Sequence, residues 1–320
     1  QSIEELLLVR DVTPALLFGA DMNRNALVEA NEEPYTQIPN VDNVMGVMNR
    51  GWAAYLTLDG AERNLRPDGS PKININSDDL QTLHNDARTV LGEEMANFII
   101  AYRQGGAYEG ESTGRQVSAG SLELDFNQRG RVQLQTVLDL IGVVTQVAEE
   151  GQQGSEPRTC ESPFRDDPSA MRDYLPKLFD NFSVNDSPSI PGRLNINQAP
   201  KPLLRAIPGL PADAIDQIIA SRRPEGAAER PDQAYETWIL TDGIVDLAEM
   251  KRLMPLVTAG GDVYRAQGVG YFDAAGPASR LEVVVDATQS PPVIRRRREL
   301  VDQGPGYSLE MLGVVLEDEP

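Results

Sequence analysis

The sequence predicts an α+β protein, mostly helical, with two similar helical modules and a small antiparallel sheet at the C-terminal end. Three observations carry this. The pattern Asn-Ile-Asn occurs at 74–76 and again at 195–197, each time ahead of leucine-rich helical spacing. From about residue 261 the chain changes to strand-like runs broken by Gly and Pro. With 320 residues, 27 Gly and 23 Pro, it is long enough for two or three compact units built of many short elements.

Residues 2–18 read as two short helices. Ser2 with Glu5 three positions on forms a capping box, and Thr13-Pro14 opens the second helix with Pro in its first turn. The aromatic-rich run 51–58 predicts a strand, followed by a turn at Arg66-Pro67-Asp68-Gly69. Ser77, Leu80, Leu83, Ala87 and Val90 predict a helix after a cap, and a break at Leu91-Gly92 separates it from a second helix ending near Arg103. The segment 104–120 reads as a Gly/Ser-rich loop. Leu134, Val137, Leu138, Ile141 and Val144 then predict a longer amphipathic helix. A polar stretch with several Pro, 151–168, reads as a linker, and 169–181 as a helix. Two short helices are expected near 235–240 and 247–253, and four strands at 263–272, 281–287, 293–300 and 308–315. The resulting division is a first module region at 1–150 with its motif at 73–76, the linker 151–168, a second module at 169–260 with its motif at 194–197, and a β region at 261–320.

The repeat extends beyond the three residues. Lys72-Ile73-Asn74-Ile75-Asn76 matches Arg193-Leu194-Asn195-Ile196-Asn197, and Ile99-Ile100-Ala101-Tyr102-Arg103 matches Ile218-Ile219-Ala220-Ser221-Arg222. Alternating Ile and Asn puts the apolar residues on one side of an extended strand. Asn76 and Asn197 stand where a helix must start, which predicts that they cap it. In the second copy the helices meet at Pro208-Gly209-Leu210-Pro211, where Gly209 tolerates positive φ. The signature of the module is therefore Asn74, Asn76, Asn195, Asn197, Gly209, Arg103 and Arg222.

These openings, the Leu-Pro-Gly type of hairpin and the terminal Arg resemble helix-hairpin-helix domains. More specifically, Leu194-Asn195-Ile196-Asn197-Gln198-Ala199-Pro200 with the Ile-Ile-Ala-Ser-Arg ending is similar to the helical domain of protein K of the general (type II) secretion pathway, a minor pseudopilin family. Ile3–Val9 with Val12-Thr13, and Met254–Thr258, resemble flanking segments of that family. The resemblance implies a non-catalytic structural subunit at a filament tip, with other minor pseudopilins as partners. It also implies a periplasmic location and an inner-membrane anchor through an apolar helix upstream of Gln1. The first copy departs from the family by lacking the Pro-Gly hairpin, and 104–190 has no counterpart in it.

Composition bounds the alternatives. The formal charge of −20 repels a nucleic-acid backbone at long range. The second copy alone is basic: Arg193, Lys201, Arg205, Arg222 and Arg223 outnumber Asp213 and Asp216, whereas the first is net acidic. A tandem DNA clamp would want both basic, so nucleic-acid binding is the alternative rather than the main reading. No stretch reaches the ~20 mostly apolar residues of a membrane span. Cys160, the single cysteine, is read as an incidental thiol in a polar loop, and Arg295–Arg298 as a solvated edge strand. His84, the only histidine, has no cysteine or second histidine beside it for a metal and no catalytic motif around it, so it is read as structural. Acid-rich loops at Asp166-Asp167 and Asp242–Asp246 are candidates for calcium, which some relatives of the resembling family bind. Neither matches the twelve-residue calcium loop, so no cofactor ligands are assigned.

Overall fold

The computed structural model describes residues 2–21, 23–25, 51–108, 110, 116–147, 158–222, 231–272, 277–304, 306–307 and 312–313. The chain forms two units. One joins residues 1–62 to 261–320, and the other is continuous from 63 to 260. The strand β1 (Ala61–Arg63) carries the chain out of the first unit.

In the first unit the two expected N-terminal helices form. A 3-10 helix runs Ile3–Leu8, with Ser2 N–H donating to the Glu5 carboxylate (3.0 Å), and α1 runs Pro14–Phe18, capped by Thr13 Oγ1. The run 51–58 does not form the predicted strand. Gly51, at φ +60°, packs so closely on Leu16 and Gly19 that the chain turns there into a 3-10 helix, Trp52–Ala54. The sheet is antiparallel in the order β10 (Val263–Gly270), β11 (Ser279–Asp286), β12 (Val293–Glu299), three of the four expected strands. The fourth, 308–315, lies largely outside the described residues. Asp262 N–H donates to Ala61 O (2.9 Å), so the two ends from which the chain leaves and rejoins this unit lie side by side.

The four consecutive arginines of β12 are not simply solvated. Alternation sends Arg296 to Asp59 and Arg298 to Glu4, while Arg295 meets the buried Asp286 and Arg297 meets Glu299. Burial pushes the Glu4 carboxyl up, but hydrogen bonds from Arg298 and Ser2 outweigh it and hold the group at about 2, below its ordinary 4.5. A carboxylate with a depressed folded pKa stabilises above its unfolded value and loses that contribution as pH falls through the folded one. Between about pH 5 and pH 2 the wild type should therefore lose stability more steeply than Glu4→Gln. Melting temperatures of the two proteins over that window check this, and parallel curves would contradict it. The effect is modest, because Glu4 keeps partial contact with water.

The second unit holds one contiguous core running in sequence from Ile73 to Val257. Its elements are β2 (Ile73–Asn74), α2 (Leu80–Leu91), α3 (Glu93–Gly105), β3 (Gln116–Val117), β4 (Val144–Val147), β5 (Arg158–Glu161), α4 (Pro168–Asn181), β6 (Phe182–Ser183), β7 (Ser189–Pro191), β8 (Leu194–Asn195), α5 (Lys201–Arg205), α6 (Ala212–Ser221), α7 (Trp238–Thr241), α8 (Leu247–Leu253) and β9 (Val257–Thr258). Among the described residues helix accounts for 37% and strand for 20%, in five small sheets, so the expectation of a mostly helical protein is wrong. No described helix is long and apolar enough to cross a membrane.

Most of the correction comes from residues 104–168. The predicted amphipathic helix over Leu134–Val144 is one 3-10 turn, Val137–Leu140, followed by β4. Asp139 accepts from the N–H groups of Gln135 and Thr136, which closes a single tight turn, and Gly142 at φ +64° ends it. Leu134, Val137, Leu138, Leu140 and Ile141 are all buried, so this run is surrounded by core rather than amphipathic. β4 pairs antiparallel with β5, and β3 pairs parallel with β5. The presumed loop 104–120 and linker 151–168 thus each carry a strand of one sheet. Cys160 sits within β5, fully buried, and burial pushes its thiol up to about 11. It is a small core residue rather than a loop thiol.

Candidate functional site

Each Asn-Ile-Asn motif ends a two-residue strand and then turns. The first Asn side chain accepts from the backbone N–H of the second: Asn74 Oδ1 from Asn76 (2.9 Å), and Asn195 Oδ1 from Asn197 (2.8 Å). This Asx turn lifts the chain out of the strand, the reason Asn is needed at that position. The isoleucine between them, Ile75 or Ile196, is fully buried.

Asn76 and Asn197 do not cap the helices that follow, contrary to expectation. Asp79 caps α2 through its bond from Thr82 N–H, and Pro200 precedes α5. The two amides face inward as bridges instead. Asn76 Nδ2 donates to Leu134 O (2.9 Å) and Val184 O (3.0 Å), and its oxygen accepts from Leu134 N–H (2.8 Å). Asn197 Nδ2 donates to Gln233 O (2.9 Å) and Ala259 O (3.0 Å), and its oxygen accepts from Trp238 Nε1 (2.9 Å).

These partners reveal a part of the repeat that the sequence pattern did not disclose. β2 pairs parallel with β6, placing Ile73 against Phe182 and Asn74 against Ser183. β8 pairs parallel with β9, placing Leu194 against Val257 and Asn195 against Thr258. Ile75 N–H reaches Ser183 O and Ile196 N–H reaches Thr258 O, both at 2.8 Å. Each module therefore closes on a strand reached after a further helix, α4 in the first copy and α8 in the second. Asn76 and Val184 are 108 residues apart, whereas Asn197 and Ala259 are 62 apart, so the β3-β5-β4 sheet occupies the longer connection of the first copy. A pairing signal was present in Phe182-Ser183-Val184 and Val257-Thr258-Ala259, two short apolar–hydroxyl–small runs at the ends of helices. Two residues are too few for a periodicity argument.

The terminal arginines complete each latch from the C-terminal helix of the hairpin. Arg103, with no exposed surface, donates to the carbonyls of Ile75, Ser77 and Val132. Arg222 donates through Nε to Ile196 O (2.7 Å). Burial pulls both guanidinium pKa values down, and in Arg103 the nearby Asp78 opposes this. Gly209 sits at φ +81° in the second hairpin, and Gly92 at φ +90° fills the same role between α2 and α3. The first copy thus replaces Pro-Gly with a helix-ending Gly. Gly209→Ala should cost about 1 kcal/mol, all of it backbone, because a methyl group there meets nothing within 4 Å. Urea unfolding of the variant checks this.

The basic side chains of the second copy are largely used within the module. Among the described residues Arg193 pairs with Glu236 (2.9 Å), Lys201 with Asp216 at the surface, and Arg222 with the main chain, while Arg205 is exposed; Arg223 lies outside the described residues. His84 is buried, and its Nε2 lies 2.7 Å from Asn97 Oδ1, while Asn97 Nδ2 donates to Ala119 O (3.0 Å). It ties α2 to α3 with its ring against Phe126. In the two acid-rich loops, Asp167 and Asp246 cap α4 and α8, and Asp242 pairs with Arg172. Among the described residues no three His, Cys, Asp or Glu side chains gather as a metal site. No family model, curated protein or solved structure matches this chain.

Proposed function

We propose that this chain is the extracytoplasmic part of a structural, non-catalytic subunit of a type II secretion filament, a minor pseudopilin of the protein K kind. The observation that carries the reading is the duplicated Asn-Ile-Asn latch in a large unit whose flanking chain ends build a smaller, sheet-bearing unit. The resemblance of residues 194–200 and 218–222 to that family's helical domain supplies the name of the assembly. On this reading the bulky second unit caps the filament, since no further subunit could stack past it. The other minor pseudopilins join through an apolar helix upstream of Gln1, which also anchors the protein in the inner membrane facing the periplasm.

The inward use of Arg103, Arg193 and Arg222 weighs against the alternative, a nucleic-acid clamp, because phosphate binding needs solvent-facing cations. Coexpression of the membrane-anchored chain with the other minor pseudopilins of the same secretion cluster tests the proposal. Recovery of a stoichiometric complex is the expected result. Separate migration of every partner, together with a band shift on duplex DNA at low salt, would overturn it in favour of the clamp.

A further inference from the structure

β12 is one edge of the sheet of the first unit, and the charges along that edge are ordered. Leu300 N–H donates to Arg280 O (2.9 Å), which fixes the parity of the strand. The main chain of Arg296 and Arg298 faces β11, opposite Val284 and Glu282. The N–H and C=O groups of Arg297 and Glu299 therefore point away from the sheet, and among the described residues no strand pairs with them. The side chains of these two residues share one face. They form an ion pair with each other at 3.3 Å, with 64% and 71% of their side-chain surface exposed.

A charged edge ordinarily resists pairing with another strand. This one is balanced instead. Arg295, Arg296, Arg297 and Arg298 are matched by Asp286, Asp59, Glu299 and Glu4, so the strip is near neutral on a chain of net charge −20. A second copy approaching here is spared the repulsion that the rest of the acidic surface exerts. The order of charge is also self-complementary. When two β12 strands pair antiparallel with the two-fold axis at Arg298, Arg297 of each copy stands opposite Glu299 of the other. With the axis at Arg297 or at Glu299, a residue stands opposite its own twin and like charges meet. Arg298 then lies on the axis, but each copy keeps its Glu4 partner. The other edge offers no such match: Ala287 N–H donates to Asp262 O (2.8 Å), so β10 turns Val263, Arg265, Gln267 and Val269 outward, which contain no opposite charges.

We infer that two copies of this chain associate through β12, antiparallel about a two-fold axis at Arg298, joining their sheets edge to edge. About four main-chain hydrogen bonds and two Arg297–Glu299 pairs form across the contact. The register brings the exposed Ile294 end of one strand toward the exposed Val301 end of the other, which adds apolar area. The paired stretch is about five residues long and falls well below a standard interface, so the association is weak and reversible, with Kd about 10⁻⁵ to 10⁻⁴ M. Such a contact is independent of the filament reading, since it needs only residues of the first unit.

Sedimentation equilibrium of the full chain from about 1 μM to 1 mM tests this. A monomer–dimer equilibrium is expected. Arg297→Glu and Glu299→Arg should each weaken it at least tenfold, because each sets like charges opposite one another. An equimolar mixture of the two variants should recover the dimer, and so should the double variant carrying both changes, because opposite charges face each other again in either case. Both positions are exposed, so the variants keep the fold, which circular dichroism checks. A chain that stays monomeric up to about 1 mM would overturn the inference and leave the edge to a strand of another protein. Dimerisation that the single variants leave unchanged would overturn it too, because the contact would then lie elsewhere. So would single variants that dissociate without recovery in the mixture or the double variant, because the register would then be wrong.

Discussion

Arg103→Ala should destabilise the large unit by about 3–5 kcal/mol, more than any other single truncation of the latch residues. The side chain is completely buried and serves three carbonyls from two separate segments, Ile75 and Ser77 on one side and Val132 on the other. Truncation removes a charge-assisted donor to each and leaves carbonyls facing a void where water enters with difficulty. Arg103→Lys should recover only part of the loss, because one ammonium cannot reproduce a planar fork spanning Nε and Nη1. Arg222→Ala should cost less, about 1–2 kcal/mol, since Arg222 is only partly buried and its Nε bond to Ile196 O is the counterpart of one of Arg103's three. Urea unfolding of the two alanine variants, followed by far-UV circular dichroism, measures the difference. Equal costs would mean that the arginines act through packing of their stems rather than through the carbonyls they bind.

The asymmetry between the arginines bears on what the sequence could and could not disclose. The duplication was legible because Ile-Asn-Ile-Asn and Ile-Ile-Ala-x-Arg are local runs, each set by a turn or a helix face. The N-terminal capping box, the break at Gly92, the helix 168–181 and the three described strands of the sheet were legible for the same reason: their causes lie within a few residues. What failed was long-range. Leu134–Val144 has apolar spacing that fits a helix, yet Leu134, Thr136, Val137, Leu138, Leu140 and Ile141 are all buried rather than lying on one face, and Asp139 and Gly142 confine the run to one turn. Arg158–Glu161 reads as part of a polar linker, yet β5 is central in its sheet, pairing antiparallel with the preceding β4 and parallel with β3, about 40 residues earlier. The role of Asn76 and Asn197 was missed by the same route. Their local context suits a cap, and only partners 36 to 108 residues away show them to be bridges.

Asn76→Ala and Asn197→Ala should each cost about 2–4 kcal/mol, the sum of three hydrogen bonds whose partners stay behind. The two variants differ in what they report. Asn197 holds Trp238 Nε1, and Trp238 is buried while the second tryptophan, Trp52, is largely exposed. Asn197→Ala should therefore alter tryptophan emission in the folded state, and Asn76→Ala should leave it unchanged. Aspartate at either position separates the donors from the acceptor. It keeps an oxygen for Leu134 N–H or Trp238 Nε1, but it turns a carboxylate toward two carbonyls that Nδ2 had served. That setting disfavours the charged form, so the folded pKa of the new carboxyl must lie above its unfolded value of about 3.9. An acid with a raised folded pKa is least damaging while protonated, and its cost grows as pH rises from the unfolded value through the folded one. Asn76→Asp should thus be close to wild type near pH 3.5 and worse than Asn76→Ala at pH 7, by about 1 kcal/mol or more. Stability of the three proteins measured across that range decides it. A pH-independent deficit for Asn76→Asp would mean that the amide donors contribute nothing, and that the latch is held by the Asx turn and the paired strands alone.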